Sequence, residues 1–233
     1  MAVLANIEAV ALLDEPVRRA LYEWVVSAGR VVGRDEAAAG AGVSRALAAF
    51  HLDRLVEGGL LEPEYRRLSG RTGPGAGRPA KLYRRAQREV AVSLPDRRYE
   101  VAAALLATSI EASADEIPPP ALRTSARALG RTAGTQARAA AGRRPSRRRL
   151  RENLIATLRD RGYEPRETEG GEIRLANCPF HALVEEHRQL VCGMNLALAE
   201  GLVDGLGEDH VTARLDPRPG WCCVALAARG GSG

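Results

Sequence analysis

The amino-acid sequence predicts an α+β protein, and three observations support this class. In residues 1–92, apolar side chains recur at helical spacing and are followed by two short extended segments. Residues 93–145 contain an apolar helical pattern and a second one rich in alanine and arginine. Residues 146–233 alternate helical patterns with short runs bounded by glycine, as strands are. We therefore expect three regions with these boundaries, of which the middle one is a helical linker.

The first region begins with helices that lead into a tight turn. Residues 6–28 carry helical spacing with a predicted break at Asp14-Glu15-Pro16, because proline suits the start of a helix and disrupts its interior. The run from residue 34 to residue 45 begins with a short alanine-rich helix, which a glycine-bearing turn follows. Ser44 is then placed to cap the next helix by accepting a hydrogen bond from its free amides. This order predicts a helix-turn-helix.

The helix after Ser44 is expected to bury Leu47, Phe50 and Leu55 against the preceding helices. Its predicted outward face consists of Ser44, Arg45, Ala48, His51 and Arg54. In a helix-turn-helix, the first residues of the second helix reach base edges in the major groove, where an arginine can bind guanine with two hydrogen bonds. Arg45 is therefore the leading candidate for base recognition.

A basic hairpin is predicted after this helix. Glycines 58 and 59 end the helix, residues 60–63 begin one strand, and residues 81–84 form the second. The loop between them is rich in glycine and proline and short of apolar side chains. From position 65 to position 88 there are eight lysines or arginines and no acids, which suits contact with phosphates. The predicted phosphate contacts are Arg66, Arg71, Arg78 and Lys81.

Three runs in this region carry a resemblance to a known family: residues 43–55, the glycines and leucines at 58–61, and the Gly-Arg-Pro-Ala-Lys-Leu-Tyr segment at 77–83. Together they resemble ArsR-like winged helix-turn-helix transcriptional regulators, over roughly the first 90 residues. The resemblance implies a winged helix-turn-helix domain that binds double-stranded operator DNA. The alternative is a winged helix used for protein contacts alone.

Composition limits the class of partner and the compartment. The net charge of +5 and the sequence pI of about 9.4 favour an anionic partner, although charge alone does not separate DNA from RNA or a membrane surface. No long uncharged apolar run and no secretion signal are recognisable, so we expect a cytoplasmic protein that does not enter a membrane. All four cysteines follow residue 177, and in a reducing compartment they point to metal or redox chemistry.

The linker region is expected to pair two copies of the chain. Residues 99–114 form a strongly apolar helical pattern whose stripe needs a partner, so we expect a homodimer. Residues 121–141 form a second helical pattern. In the third region, helices are predicted at residues 147–161, 182–189 and 192–206, and strands at residues 163–168, 172–175, 210–215 and 221–227.

The cysteines lie at three separated places in the third region. Cys178 follows a predicted strand, Cys192 begins the long helix, and Cys222 opens the last strand beside Cys223. Thiolates suit zinc or an iron–sulfur cluster, and nearby imidazoles could contribute. The alternative ligands are Cys223, His181 and His187. Strand parity places Cys222 on one face with positions 224 and 226.

The order Cys-Pro-Phe, then Leu-Val-Cys, then a late cysteine in a strand resembles the sensor domain of repressors of iron–sulfur-cluster assembly genes. The resemblance implies a dimer whose cluster is held by Cys178, Cys192 and one of Cys222 or Cys223, with Cys222 favoured by the family's spacing. The expected function is a transcriptional repressor controlled by that cluster. Zinc, cysteines that only fill the core, and a regulator answering an organic ligand stay open. A cysteine-dependent enzyme is the remaining alternative, but the sequence shows no acid or oxyanion element to support one, so we expect a non-enzyme.

Overall fold

A computed structural model describes residues 2–66, 79–92, 99–207 and 211–228 of the chain. The predicted α+β class is confirmed. The chain divides into two compact units, residues 1–97 and 98–233. The helices predicted for the linker, at residues 99–114 and 121–141, lie in the second unit. Within the described residues, no helix combines the length and the apolar character needed to cross a membrane.

The first unit is built from four helices and a small antiparallel sheet among its described residues. In chain order, its elements are α1 (Ala2–Ala11), a 3-10 turn (Leu12–Asp14), α2 (Pro16–Ala28), β1 (Val32–Gly33), α3 (Arg34–Ala41), α4 (Arg45–Glu57), β2 (Leu61–Arg66) and β3 (Ala80–Arg85). The predicted break before Pro16 is confirmed, because the carboxylate of Glu15 accepts hydrogen bonds from the amides of Val17 and Arg18 and thereby caps α2.

The turn between α3 and α4 follows directly from its sequence. Gly42 has φ +65°, a left-handed conformation that glycine adopts without steric cost, and the amide of Val43 donates to the carbonyl of Ala38 at 3.0 Å. Ser44 Oγ then accepts a hydrogen bond from the amide of Leu47 at 3.3 Å. The predicted serine cap is therefore confirmed, and it fixes where α4 begins.

The core of the first unit lies between the helices and the sheet. Its strand order is β1-β3-β2, and the edge strand β2 accommodates Pro63, which has no amide hydrogen to donate. In the hairpin, β2 and β3 pair antiparallel, with Leu61 opposite Arg85 at one end and Arg66 opposite Ala80 at the other. The largest fully buried side chains of this unit are Leu21, Leu52, Leu55, Leu61 and Tyr83.

The second unit packs helices against a four-stranded antiparallel sheet. Its elements are α5 (Tyr99–Ser113), α6 (Pro120–Ala140), α7 (Arg147–Asp160), β4 (Pro165–Glu167), β5 (Ile173–Leu175), α8 (His181–Leu206), β6 (Val211–Leu215) and β7 (Val224–Ala228). The strand order is β4-β5-β7-β6. The two helical patterns predicted at 182–189 and 192–206 form one element, α8, with a kink at His187, whose φ of −122° and ψ of 40° are not helical.

Helices α6 and α8 pack unusually closely because glycines line both sides of their contact. A side-chain carbon at Gly134 would overlap the carbonyl oxygen of Leu202, and one at Gly201 would overlap the carbonyl oxygen of Arg127. The backbone at these points cannot move aside as a flexible side chain would. The position of the long helix α8, which carries Cys192, is therefore fixed by this contact.

Candidate functional site

The outward face of α4 differs from the predicted one. Leu47 and Phe50 were expected in the core, but their exposed fractions are 40% and 59%. Ala48 and His51 were expected to face DNA, but both are buried, at 0% and 7%. These four assignments are therefore wrong, and Leu55 alone of the three expected core residues is buried.

The physical reason is the helical period. Positions 48, 52 and 55 are separated by four and three residues and so share one face of the helix, whereas position 55 lies five residues after Phe50 and shares no face with it. The small Ala48 occupies the core side of α4 together with Leu52. His51 is held there too, with its Nδ1 3.4 Å from Arg18 Nε and 3.5 Å from a carboxylate oxygen of Glu15.

Arg45 and Arg54 do face outward, as predicted. Arg45 contacts Asp35 at 2.6 Å, and Arg54 contacts Glu57 at 2.9 Å. The arginine side chains are 68% and 52% exposed, and exposed pairs of this kind contribute only about 0–1 kcal/mol. Either arginine can therefore exchange its carboxylate for another anion at little cost.

A polar cluster joins α3, α4 and β3. Lys81 Nζ and the Tyr83 hydroxyl each donate to Oδ1 of Asp53 at 2.7 Å, and Arg34 lies 3.3 Å from Oδ2. Arg34 Nε also donates to the Tyr83 hydroxyl at 2.9 Å, while Arg34 and Lys81 both lie over the Tyr83 ring. Lys81, predicted to contact phosphate, is thus neutralised within the protein by Asp53.

The charges of this cluster alter the pKa of its members. Burial and the hydrogen bond to Asp53 raise the pKa of Tyr83 to about 12. Partial burial raises the pKa of Asp53, but the hydrogen bonds from Lys81 and Tyr83 lower it by more, so the net pKa lies below the ordinary value of 3.8. Asp53 is therefore an anion and Tyr83 a neutral phenol at neutral pH.

An open cavity of about 500 Å³ adjoins the cluster and is lined by parts of α3, α4 and both hairpin strands. Its walls include the side chains of Arg34, Arg45 and Lys81, with Asp35 and Tyr65 beside them. Three cations and one carboxylate line the cavity, and Asp53 of the adjoining cluster pairs with two of those cations, Arg34 and Lys81. On the hairpin, Arg66 pairs with Glu64 at 2.6 Å and is 57% exposed. Arg71 and Arg78, also predicted to contact phosphate, lie outside the described residues.

The four cysteines of the second unit are arranged in two pairs. The sulfurs of Cys192, in α8, and Cys223, before β7, lie at disulfide distance, with their Cα atoms 6.3 Å apart. Cys178 and Cys222 are free, and their thiols are in hydrogen-bond contact. Cys222 lies in the core with Val224 and Leu226, as predicted, but it precedes β7, which begins at Val224. The resemblance favours Cys222 over Cys223 as the third ligand beside Cys178 and Cys192, whereas the cysteine next to Cys192 is Cys223.

Cys222 is surrounded by hydrogen-bond donors. The Tyr163 hydroxyl donates to Asn195 Oδ1 at 2.5 Å, and this orients the buried amide so that its Nδ2 donates to Cys222 Sγ at 3.4 Å. The hydrogen bond from Cys178, helped by backbone amides, lowers the pKa of Cys222 to about 7 despite burial. The same contact and burial raise the pKa of Cys178. The contact therefore favours the thiolate of Cys222 over that of Cys178.

Sulfur donors suit a soft metal ion or an iron–sulfur cluster, but the grouping of the side chains does not. Within the described part of the chain, no three His, Cys, Asp or Glu side chains are gathered as a metal site. A cysteine held in a disulfide cannot act as a thiolate ligand, so Cys192 and Cys223 are unavailable in this arrangement. The residues as they stand do not fit the three-cysteine site that the sequence predicts.

The alternative histidine ligands lie elsewhere. His181 is exposed, with Glu185 4.0 Å away. His187 is buried at the kink of α8, where its Nδ1 lies 2.8 Å from Glu111 of α5, and its Nε2 has no hydrogen-bond partner among the described residues. Neither imidazole is grouped with the thiols as a metal site in the described residues.

Helix α5 presents an apolar face to solvent, as the sequence analysis expected for a pairing helix. Its most exposed apolar side chains are Tyr99, Val101, Leu105 and Leu106, of which the last two are 65% and 64% exposed. The opposite side of α5 faces α8, where Glu111 meets His187.

Asp53, Tyr83 and Asn195 were not predicted as site residues, and Lys81 was predicted only as a phosphate contact. Lys81 and Tyr83 lie two positions apart in a strand and so share a face, which could have predicted a common partner. That partner, Asp53, is 28 residues from Lys81, and nothing local in the sequence identifies it. Asn195 was missed because it lies between apolar residues in the middle of α8.

Comparisons with known proteins leave the family open. No family model matches the chain, and neither a curated protein nor a solved structure matches it.

Proposed function

We propose that the protein is a DNA-binding transcriptional regulator, acting as a repressor. In this proposal α3, α4 and the β2–β3 hairpin form a winged helix-turn-helix, with α4 as the recognition helix. The observation that carries it is the outward placement of Arg45 and Arg54 on a serine-capped helix whose N-terminus adjoins a cation-lined cavity and a basic hairpin. Such a helix meets base edges with its first turns, while the hairpin lies along phosphates.

Binding would replace internal carboxylates with phosphates or bases. The ion pairs Arg45–Asp35 and Arg54–Glu57 would break on binding. Their loss costs little free energy because both pairs are exposed to solvent. Lys81 differs because its side chain is only 21% exposed and is shared with Tyr83 through Asp53. We therefore assign Arg45 to base recognition, Arg54 and Arg66 to anion contact, and Lys81 to holding the hairpin against α4.

The regulator is proposed to act as a homodimer through α5. The exposed Leu105 and Leu106 would lose contact with water in such an interface, and a single recognition helix reads too few base pairs for useful specificity. Leu106→Glu should therefore convert a dimer into a monomer in multi-angle light scattering. A wild-type chain that is already monomeric at micromolar concentration, yet binds a selected duplex tightly, would contradict the proposal.

The DNA-binding proposal is tested by selection. Purified full-length protein is mixed with duplexes that carry a random central segment, and bound duplexes are amplified and sequenced. We expect enrichment of one sequence, repeated about one helical turn apart if the protein is a dimer. The same selection with Arg45→Ala should enrich a less defined sequence, because the guanine contact is lost. If wild-type protein enriches nothing and binds no duplex at low salt, the proposal is wrong.

The C-terminal cysteines are the proposed sensor. An iron–sulfur cluster on Cys178, Cys192 and Cys222, with zinc as the alternative, stays a prediction and requires Cys192 to be reduced. The paired arrangement supports thiol chemistry itself as a second candidate, since Cys222 lies among hydrogen-bond donors that favour its thiolate. The two candidates exclude each other in one molecule, because a disulfide between Cys192 and Cys223 removes both sulfurs from any metal site.

Anaerobic purification with and without a reductant separates these candidates. Reduced protein that contains iron and sulfide, or zinc, and loses it in Cys178→Ser supports the metal. Metal-free protein in which peptide mapping finds the Cys192–Cys223 disulfide, and in which reduction changes DNA affinity, supports thiol chemistry. If neither metal content nor reduction affects DNA binding, the cysteines fill the core and the sensing proposal is wrong.

A further inference from the structure

Two large apolar side chains of α4 are exposed to solvent. Leu47 and Phe50 are 40% and 59% exposed, and neither belongs to the core of the first unit. They lie three residues apart, and Arg54 follows four residues later, so all three form one stripe along the helix. The ring of Phe50 meets the buried ring of His51 edge to face, with centroids 5.1 Å apart, which restricts its orientation.

The stripe has the dimensions of a base-reading surface. Seven residues separate Leu47 from Arg54, a rise of about 10 Å at 1.5 Å per residue. Base pairs of duplex DNA are stacked about 3.4 Å apart, so the stripe spans about three of them. The major groove is about 12 Å wide and admits an α-helix. Leu47 lies in the first turn of α4 and Phe50 in the second, where a recognition helix meets base edges.

Charge identifies the occupant of this surface. Exposed Arg45 and Arg54 carry positive charge on the same helix as the apolar pair, which suits a polyanion with apolar groups between its phosphates. Duplex DNA fits this description, because its phosphates are anionic and thymine alone among the four bases presents a methyl group in the major groove.

We infer that Leu47 and Phe50 contact the 5-methyl groups of thymines in the DNA site, beside the base read by Arg45. This inference rests on the proposed DNA-binding function and adds to it the identity of the bases. It predicts that the preferred site has thymine within three base pairs of the base that Arg45 recognises.

Deoxyuridine substitution tests this inference, because it removes the methyl group and nothing else. A duplex selected by the full-length protein is remade with each thymine replaced in turn, and affinity is measured by fluorescence anisotropy. For wild-type protein, we expect about a fourfold loss at one or two thymines of each half-site, the change that corresponds to one buried methyl group. For Phe50→Ala, thymine and deoxyuridine should bind equally at one of those positions, and for Leu47→Ala at the other.

Val10→Ala is the matched control, since Val10 is also an exposed apolar residue of the first unit, at 46%, and it lies on α1. This variant should keep the wild-type thymine dependence. Wild-type binding that is indifferent to deoxyuridine at every position overturns the inference and leaves the DNA-binding proposal standing. If no duplex is selected, the inference and the DNA-binding proposal are both wrong. If Phe50→Ala instead converts a dimer into a monomer and keeps the thymine dependence, this face joins two copies and the inference is wrong.

Discussion

Asp53→Asn should lower stability and raise DNA affinity at the same time. The amide keeps an oxygen that can accept the Tyr83 hydrogen bond, but it loses its charge attraction to Lys81 and Arg34. The Asp53 side chain is 41% exposed, so the two ion pairs together contribute about 1 kcal/mol to the free energy of unfolding. Asp53→Ala also leaves the hydroxyl of the buried Tyr83 without its acceptor, which brings the expected total loss to about 2–3 kcal/mol.

The gain in affinity comes from the released cations. Once Asp53 is neutral, Lys81 and Arg34 can turn toward anions in the adjoining cavity. Each additional phosphate contact steepens the dependence of log affinity on log salt by about 0.9, so we expect the slope to steepen by about one to two. Urea unfolding followed by circular dichroism measures the first effect, and anisotropy titrations at several salt concentrations measure the second. An unchanged slope in Asp53→Asn would refute the assignment of Asp53 as the internal neutraliser of Lys81.

The stability difference between wild type and Asp53→Asn should also depend on pH. Because the folded-state pKa of Asp53 lies below its ordinary value of 3.8, the carboxylate stabilises the fold fully above that value. The contribution disappears as pH falls through the lowered folded-state pKa. Urea midpoints of the two proteins should therefore differ at pH 7 and converge in acid. A difference that persists when the aspartate is protonated would assign the effect to packing.

Further predictions concern the packing, the interface and the sensor. Gly201→Ala should destabilise the second unit by about 1–3 kcal/mol or more, because the new methyl overlaps backbone of α6. Gly170→Ala is its control, because the new methyl would meet only Thr168 Oγ1, at an ordinary contact distance of 4.0 Å. An equal urea midpoint for both variants would show that the helices can move apart. Arg45→Ala should cost about 1–3 kcal/mol on the selected duplex and less on unrelated DNA; equal losses on both would remove Arg45 from base recognition. Cys192→Ser should leave three titratable thiols under denaturing conditions, with Cys223 unpaired after oxidation; peptide mapping that finds Cys223 joined to Cys178 or Cys222 would show that the cysteines pair differently.

Much of the fold could be predicted because its signals are local. The break at Pro16, the turn at Gly42 and the cap at Ser44 each depend on residues within a few positions of one another. The strands of the second unit were found near their predicted places for the same reason, since glycine marks their ends. The kink at His187 could not be predicted, because the Glu111 that holds its imidazole comes from a different helix.

The candidate sites were predicted less well because they depend on contacts between distant segments. The face of α4 was misassigned when the large apolar side chains of Leu47 and Phe50 were given more weight than the small Ala48, although size alone does not decide burial. Which thiol meets Cys192 depends on how α8 packs against the last strand. Cys222 is buried as predicted, but it precedes the strand whose alternation was used to predict this, and alternation carries no information about which thiols are neighbours.

The salt dependence of duplex binding shows whether the full-length protein holds DNA through its arginines. We expect measurable binding to both selected and unrelated duplexes at low salt, a linear fall of log affinity with log salt, and tighter binding to the selected duplex at every salt concentration. Arg54→Ala should give a shallower slope than wild type, because one cation fewer meets the DNA. The DNA-binding proposal is wrong if neither duplex is bound at low salt, or if the affinity does not change with salt concentration.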